Sequence, residues 1–153
     1  MNWQDYQLDF EFDGSWRDLY VLNTTIYDWQ RLIDFLRSSP YLLIYKVDFE
    51  ETSLPQLVEQ VFTKRNEASP LLSINIGSVI LNCHFFTEDE IEFDIDPREI
   101  VSAVQSEQVF AFMRHVGQLL NKEVILTPEN EPRIVIFRFV PSTETLEYIS
   151  SAH

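Results

Sequence analysis

The sequence predicts an α+β fold, a single-domain two-layer sandwich with a mostly antiparallel sheet and about three helices packed on one face. Runs of adjacent strands are separated by single helical segments, which is typical of α+β chains. Two strands alternate acidic with apolar residues, as expected when one face of a sheet points to the core. A sheet covered on both faces would show continuous apolar runs instead.

The amino-terminal segment is predicted to form a hairpin. Residues 5–13 alternate between acidic or polar and apolar side chains. The apolar set consists of Tyr6, Leu8, Phe10 and Phe12. Asp13-Gly14 favours a tight turn because both residues tolerate positive φ, and residues 17–23 then form the second strand.

The middle of the chain is predicted to alternate helices with strands. A capping-box-like start at Thr25 begins the first helix, which ends at residues 38–40. A second capping box at Ser53 begins another helix, which runs to about Asn66. The intervening and following strands are expected at residues 41–49 and 71–76.

The carboxyl-terminal part is predicted to contain one long helix and two strands. Asp96-Pro97 favours a helix start or a short turn, because aspartate caps free N–H groups and proline fits the first turn. A longer helix, capped by Ser102 or Ser106, runs to about Lys122. Strands follow at residues 124–127 and 133–140. The domain then covers residues 1–141, and residues 142–153 form a polar carboxyl-terminal tail.

Two arginines interrupt the acidic and apolar patterns of the predicted strands. Arg17 follows the first hairpin turn, and Arg138 lies in an otherwise apolar strand. We expect each of them to pair with strand carboxylates, which would relieve the repulsion between like charges across the sheet.

The stretch Gly77–Arg98 is predicted to form the central hairpin. A connection from Phe86 to Glu90 leaves one face of the hairpin wholly apolar, whereas turns of two or four residues mix apolar and acidic side chains. The resulting pairs are Phe85 with Ile91, Cys83 with Phe93 and Leu81 with Ile95. Burial of one face fixes the register, so we expect this arrangement.

The other face of this hairpin is the candidate binding site. Its polar side chains are Glu90, Glu92, Asp94, Asp96, Asn82 and His84. The whole chain has 25 acidic against 11 basic residues and a formal charge of −14. This charge disfavours binding to nucleic acids or anionic membranes, and it favours a basic protein as the partner.

No catalytic signature accompanies these residues. Glycine-rich nucleotide-binding patterns are absent from the sequence, since its glycines are Gly14, Gly77 and Gly117. Cys83 and His84 are neighbours in a strand and therefore point to opposite faces, which rules out a thiolate–imidazole pair between them. We assign no catalytic residue, metal site or cofactor, and we expect a binding protein rather than an enzyme.

Two alternatives stay open. His84 and Glu92 could centre a metal-binding or small-ligand-binding enzyme site, although a sheet face spreads such ligands at strand spacing. The open face could instead bury against a second copy in a homodimer. That arrangement would require cations of one copy to meet the carboxylates of the other.

These traits favour a small acidic interaction protein that neutralises a cationic partner, as an immunity protein or inhibitor does. Bacterial immunity proteins as a class share its size, its charge and its lack of a catalytic set. The lone Cys83 in an apolar strand indicates a buried thiol in a reducing compartment. The amino terminus has no basic region, and no uncharged stretch reaches about 18 residues, so we expect a soluble cytoplasmic protein.

Overall fold

The computed structural model describes residues 1–149, and its fold is α+β, as predicted. The α-helices are Trp3–Tyr6 (α1), Ile26–Ser38 (α2), Val58–Arg65 (α3) and Ala103–Leu120 (α4). The strands are Arg17–Leu22 (β1), Leu42–Val47 (β2), Glu50–Glu51 (β3), Pro70–Asn75 (β4), Ile80–Cys83 (β5), Glu90–Ile95 (β6), Val124–Pro128 (β7), Phe137–Val140 (β8) and Thr145–Tyr148 (β9). They form one nine-stranded sheet in the order β3-β2-β4-β5-β6-β1-β7-β8-β9. All neighbouring strands are antiparallel.

The amino-terminal segment is helical, so the strand predicted for residues 5–13 is wrong. A 3₁₀ turn over Gln7–Phe10 follows α1. Tyr6 and Phe10 are buried with their ring centroids 6.1 Å apart, whereas Leu8 is 61% exposed. Burial at every fourth residue is the helical spacing, and this additional helix explains why there are more helices than expected.

Arg17 holds the amino-terminal segment against β1. Its guanidinium is buried and donates hydrogen bonds to the carbonyl oxygens of Asp9 and Glu11, each at 2.8 Å. Arg17 also forms the expected ion pair with a carboxylate, that of Asp13 at 3.4 Å, but Asp13 lies in a bend rather than in the strand predicted there. Arg138 forms its ion pair with Glu123, which directly precedes β7.

Helix α2 begins where the sequence predicted, but α3 does not. The Thr25 N–H donates to Asp28 Oδ2 at 3.0 Å, and the Asp28 N–H donates to Thr25 Oγ1 at 3.4 Å. The predicted cap at Ser53 is wrong, since α3 begins at Val58. The Val58 N–H donates instead to Gln30 Oε1 of α2 at 2.8 Å, which is a tertiary cap that local sequence does not specify.

The carboxyl-terminal segment contributes two strands to one side of the sheet. β8 is shorter than predicted because Ile134 donates its N–H to the Glu131 carbonyl in a turn. Part of the predicted tail forms a strand, since β9 pairs with β8, and the Tyr148 hydroxyl donates to Asp9 Oδ2 at 2.6 Å. Residues 150–153 of that predicted tail lie outside the described residues.

The core is built from the apolar face of the central strands. Phe93 is fully buried and meets Phe112 of α4, with ring centroids 5.2 Å apart. Gly117 lets α4 approach β8 closely, because a Cβ atom at this position would lie 2.3 Å from Phe139 Cδ2. No helix within residues 1–149 is long and apolar enough to cross a membrane.

Candidate functional site

Polar side chains from three neighbouring strands meet on one face of the sheet. The pairing of β1 with β6 sets Asp18 opposite Asp94 and Tyr20 opposite Glu92. On the other side of β6, β5 sets Asn82 opposite Asp94. We call Asp18, Glu92 and Asp94 the carboxylate cluster, and the sheet face that bears them the polar face.

The register of the central hairpin brings these residues together. The confirmed pairs are Leu81 with Ile95 and Cys83 with Phe93. The expected pair of Phe85 with Ile91 is not part of the ladder, because β5 ends at Cys83. Phe85 instead adopts a φ of 56° and stacks on Trp29 in the core, with ring centroids 5.1 Å apart. The connection between the two strands is therefore longer than predicted.

Asp94 is fixed by a chain of side-chain hydrogen bonds. Asn82 Nδ2 donates to Asp94 Oδ1 at 3.1 Å, and the Ser73 hydroxyl donates to Asn82 Oδ1 at 2.9 Å. His84 Nε2 lies 2.9 Å from Asp94 Oδ2. This hydrogen bond raises the pKa of His84 above its ordinary value, against the opposing effect of burial. A protonated His84 therefore supplies one positive charge beside the cluster.

Asp18 is the enclosed member of the cluster. It is 1% exposed, and its Oδ2 accepts hydrogen bonds from the Asn130 N–H at 2.7 Å and the Tyr20 hydroxyl at 3.1 Å. The same hydroxyl lies 3.3 Å from Glu92 Oε1. Tyr20 has one hydroxyl proton for two carboxylates, so it cannot satisfy both of them fully.

Burial makes ionisation of this part of the cluster costly. It is the main reason why the pKa of Glu92 rises to about 7, and the charges of Asp18 and Glu90 add to the effect. Burial also raises the pKa of Asp18, although the hydrogen bonds from Asn130 and Tyr20 oppose this shift. The cluster therefore exchanges a proton near neutral pH.

Asp96 does not belong to this group of carboxylates. It follows β6 and caps a 3₁₀ turn over Pro97–Glu99, where its Oδ1 accepts the Arg98 N–H at 3.0 Å. The Arg98 guanidinium also donates to both carboxylate oxygens of Asp96. Glu90 remains on the polar face at the start of β6, close enough for its charge to raise the pKa of Glu92.

Sequence reasoning identified four central residues of the site and missed two. It placed Asn82, His84, Glu92 and Asp94 together, as the structure does. It did not find Asp18 and Tyr20, because β1 was assigned to a hairpin with residues 5–13. The alternation of Asp18 and Tyr20 with apolar residues in β1 was the available signal, but it does not reveal that β1 pairs with β6.

The carboxylates, rather than the Cys83 thiol, are the groups of this site that can contact a ligand. The Cys83 thiol is buried, and burial raises its pKa, which keeps it protonated. Within residues 1–149, no three His, Cys, Asp or Glu side chains are grouped so that they could hold a metal ion. The carboxylates themselves accept hydrogen bonds from cations.

Comparison of the chain with protein-family models, with curated proteins and with solved structures gives no match.

Proposed function

We propose that this protein is a small acidic interaction module whose carboxylate cluster receives a cationic group of a partner protein. One observation carries the proposal. Asp18, Glu92 and Asp94 converge on one sheet face, yet every Lys and Arg ion pair within residues 1–149 uses another carboxylate. Neutralisation of a basic toxin or enzyme, as by an immunity protein or inhibitor, is the form of this function that we favour.

The electrostatics of the cluster favour such a partner. Bringing like charges together disfavours their ionised forms, and a nearby positive charge reverses this effect. A Lys or Arg side chain placed at Glu92 would therefore bind most tightly when Glu92 is ionised. Complementary charge would also steer the partner during encounter.

Aliphatic side chains around the cluster give the polar face the composition of a protein interface. The strand pairing places them on the same face as the carboxylates, and they are Leu22, Leu42, Ile44, Leu71 and Ile80. Three are clearly exposed, with Leu42 at 60%, Ile80 at 39% and Leu22 at 38%. Apolar contacts next to charged groups are usual where proteins bind one another.

Two finer expectations belong to the same proposal. The helices pack on the apolar face in a two-layer arrangement, which is supported by the contact of Phe93 with Phe112 of α4. The protein works in the cytoplasm, which is supported by its single buried cysteine, Cys83.

A small-ligand enzyme site centred on His84 and Glu92 is the second candidate. The pKa of Glu92 near 7 and the Tyr20 hydroxyl 3.3 Å away suit proton transfer to a bound ligand. A small molecule whose affinity follows the ionisation of Glu92, and is lost in Glu92→Gln, would support this enzyme site.

A homo-oligomer that buries the polar face is less favoured, because the carboxylates of one copy would face those of the other. Sedimentation at rising protein concentration tests for this self-association.

The main proposal predicts that the cluster binds an oligoarginine peptide, which can be measured by isothermal titration calorimetry at pH 7 and low salt. Combining Glu92→Gln with Asp94→Asn should weaken binding at least about tenfold, because two charge-assisted contacts are lost. Wild-type binding should also release protons to the buffer, since Glu92 must ionise. This proton release should disappear in Glu92→Gln.

A charge-matched control separates the cluster from the general negative charge of the protein. Glu59→Gln with Glu144→Gln removes at least as much negative charge at pH 7, where Glu92 is partly protonated, from exposed positions outside the polar face. Equal weakening in both double variants, with no proton release, would contradict the proposal. Thermal unfolding of each variant establishes that it remains folded.

A further inference from the structure

A groove of about 590 Å³ lies at one end of the polar face, beside Tyr20. Leu22, Ile125 and Val135 provide an apolar surface within it. The groove is also lined by cations, which are Lys122, Arg133 and Arg138. Such a combination of apolar surface and a few polar groups is typical of small-molecule sites.

The charge of the groove is opposite to that of the whole protein. Three of its lining residues are cations, although the chain has only 11 basic residues and a formal charge of −14. Among residues 1–149, Glu123 is the one carboxylate that lines the groove, and it pairs with Arg138. Lys122 and Arg133 have no ion-pair partner among residues 1–149. The groove therefore retains a net positive charge.

Arg138 can offer hydrogen-bond donors to a ligand here. Its Nε lies 2.9 Å from Glu123 Oε1, although this enclosed N–H makes no hydrogen bond to any of residues 1–149. The side chain is 34% exposed and lines the groove, so a ligand there can accept hydrogen bonds from the exposed part of its guanidinium.

We propose that this groove binds a small carboxylate attached to an apolar body. The carboxylate would accept hydrogen bonds from Arg133 and Arg138, whose planar guanidinium groups match its geometry. The apolar body would cover Leu22, Ile125 and Val135. A phosphate ion fits less well, because it has no apolar body and would leave Leu22, Ile125 and Val135 uncovered.

Titration of the full chain with benzoate tests the site, with ¹⁵N–¹H NMR spectra as the measurement. Saturable shifts should centre on Tyr20, Ile125 and Arg138, with a dissociation constant on the order of 1 mM, as is usual for a molecule of this size. Benzamide, the neutral analogue, should bind at least about tenfold more weakly because it lacks the charge. Added salt should weaken benzoate binding.

Arg133→Gln should weaken benzoate binding about tenfold. Arg133 is exposed and forms no ion pair within residues 1–149, so its replacement should not disturb folding. The control is Arg114→Gln in α4, which removes the same charge from a residue that does not line the groove and should leave the affinity unchanged. Absent or non-saturating shifts, equal binding of benzamide, or equal effects of both variants would overturn the assignment. The oligoarginine experiment tests a cationic ligand at Glu92 and Asp94, whereas the benzoate experiment tests an anionic ligand at Arg133. Either proposal can therefore fail without the other.

Discussion

Glu92 keeps its proton at a pH where exposed glutamates have lost theirs. Burial beside Asp18 raises its pKa to about 7, and Tyr20 provides only one hydroxyl for both carboxylates. The protonated form of Glu92 is therefore favoured in the folded protein. This contribution to stability is complete below about pH 4.5, the usual glutamate pKa, and it is lost as the pH rises through about 7.

Replacing Glu92 with glutamine should remove most of this pH dependence. Glu92→Gln should be more stable than the wild type at pH 8 by about 1–2 kcal/mol, a value reduced for solvent screening of the half-buried group. At pH 4 the two proteins should differ little, because Glu92 is then protonated and resembles glutamine. Urea unfolding at a series of pH values measures the difference.

Two further groups influence this pH profile in the same direction. The pKa of His84 is raised by its hydrogen bond to Asp94, so this contribution is present below about pH 6.5 and is lost as the pH rises through the folded pKa. Burial also raises the pKa of Asp18, so its contribution to stability is likewise lost as the pH rises through its folded pKa. The exposed Glu59→Gln variant is the control. The prediction would be disproved if the free energy of unfolding of the wild type rose between pH 5 and pH 8 and if Glu92→Gln were no more stable than the wild type at pH 8.

At the level of elements, β6 connects the core to the candidate site. Its apolar residues are Ile91, Phe93 and Ile95, which are fully buried, and the acids between them lie on the polar face. Only one register with β5 buries these three apolar residues, so the sequence could predict the pairing of β5 with β6. The pairing of β6 with β1 was not predictable in this way, because it joins residues such as Tyr20 and Glu92, 72 positions apart.

The amino-terminal segment shows where a local pattern is ambiguous. Apolar residues at every second position also provide a pair at every fourth position, so residues 5–13 fit both a strand and a helical segment. Packing decides between them, since Tyr6 and Phe10 both contact Phe137 of β8. The start of α3 was missed for a similar reason, because its cap comes from Gln30 in another helix.

The close packing of α4 on β8 gives an element-level prediction. Gly117→Ala should destabilise the protein by about 1–2 kcal/mol, because overpacking against Phe139 outweighs the better helix propensity of alanine. Urea unfolding gives the free energy of unfolding. Gln118→Ala, at the exposed neighbouring position of the same helix, should show no comparable loss. Higher stability of Gly117→Ala would mean that Phe139 can move aside without cost.

At the scale of the whole molecule, the excess of negative charge opposes folding. The chain carries 25 acidic and 11 basic residues, so folding brings many like charges closer together. Salt screens this repulsion. Raising sodium chloride from low concentration to about 0.5 M should therefore increase the free energy of unfolding by about 1 kcal/mol.

Urea unfolding is suited to this measurement because urea is uncharged and leaves the ionic strength under control. A variant in which Glu59, Glu107 and Glu144 are replaced by glutamine should gain less from salt than the wild type, since it has less repulsion to screen. Unchanged or lower wild-type stability in salt would show that the described ion pairs, such as Arg138 with Glu123, outweigh the general repulsion.

The two-residue strand β3 has a consequence for how the molecule behaves at high concentration. Its residues, Glu50 and Glu51, are both exposed at one edge of the sheet. Free backbone groups at such an edge can recruit a further chain and start fibril growth. A second copy arriving there would find very little strand to extend and would bring glutamates against glutamates. The two glutamates thus disfavour fibril growth from β3 itself.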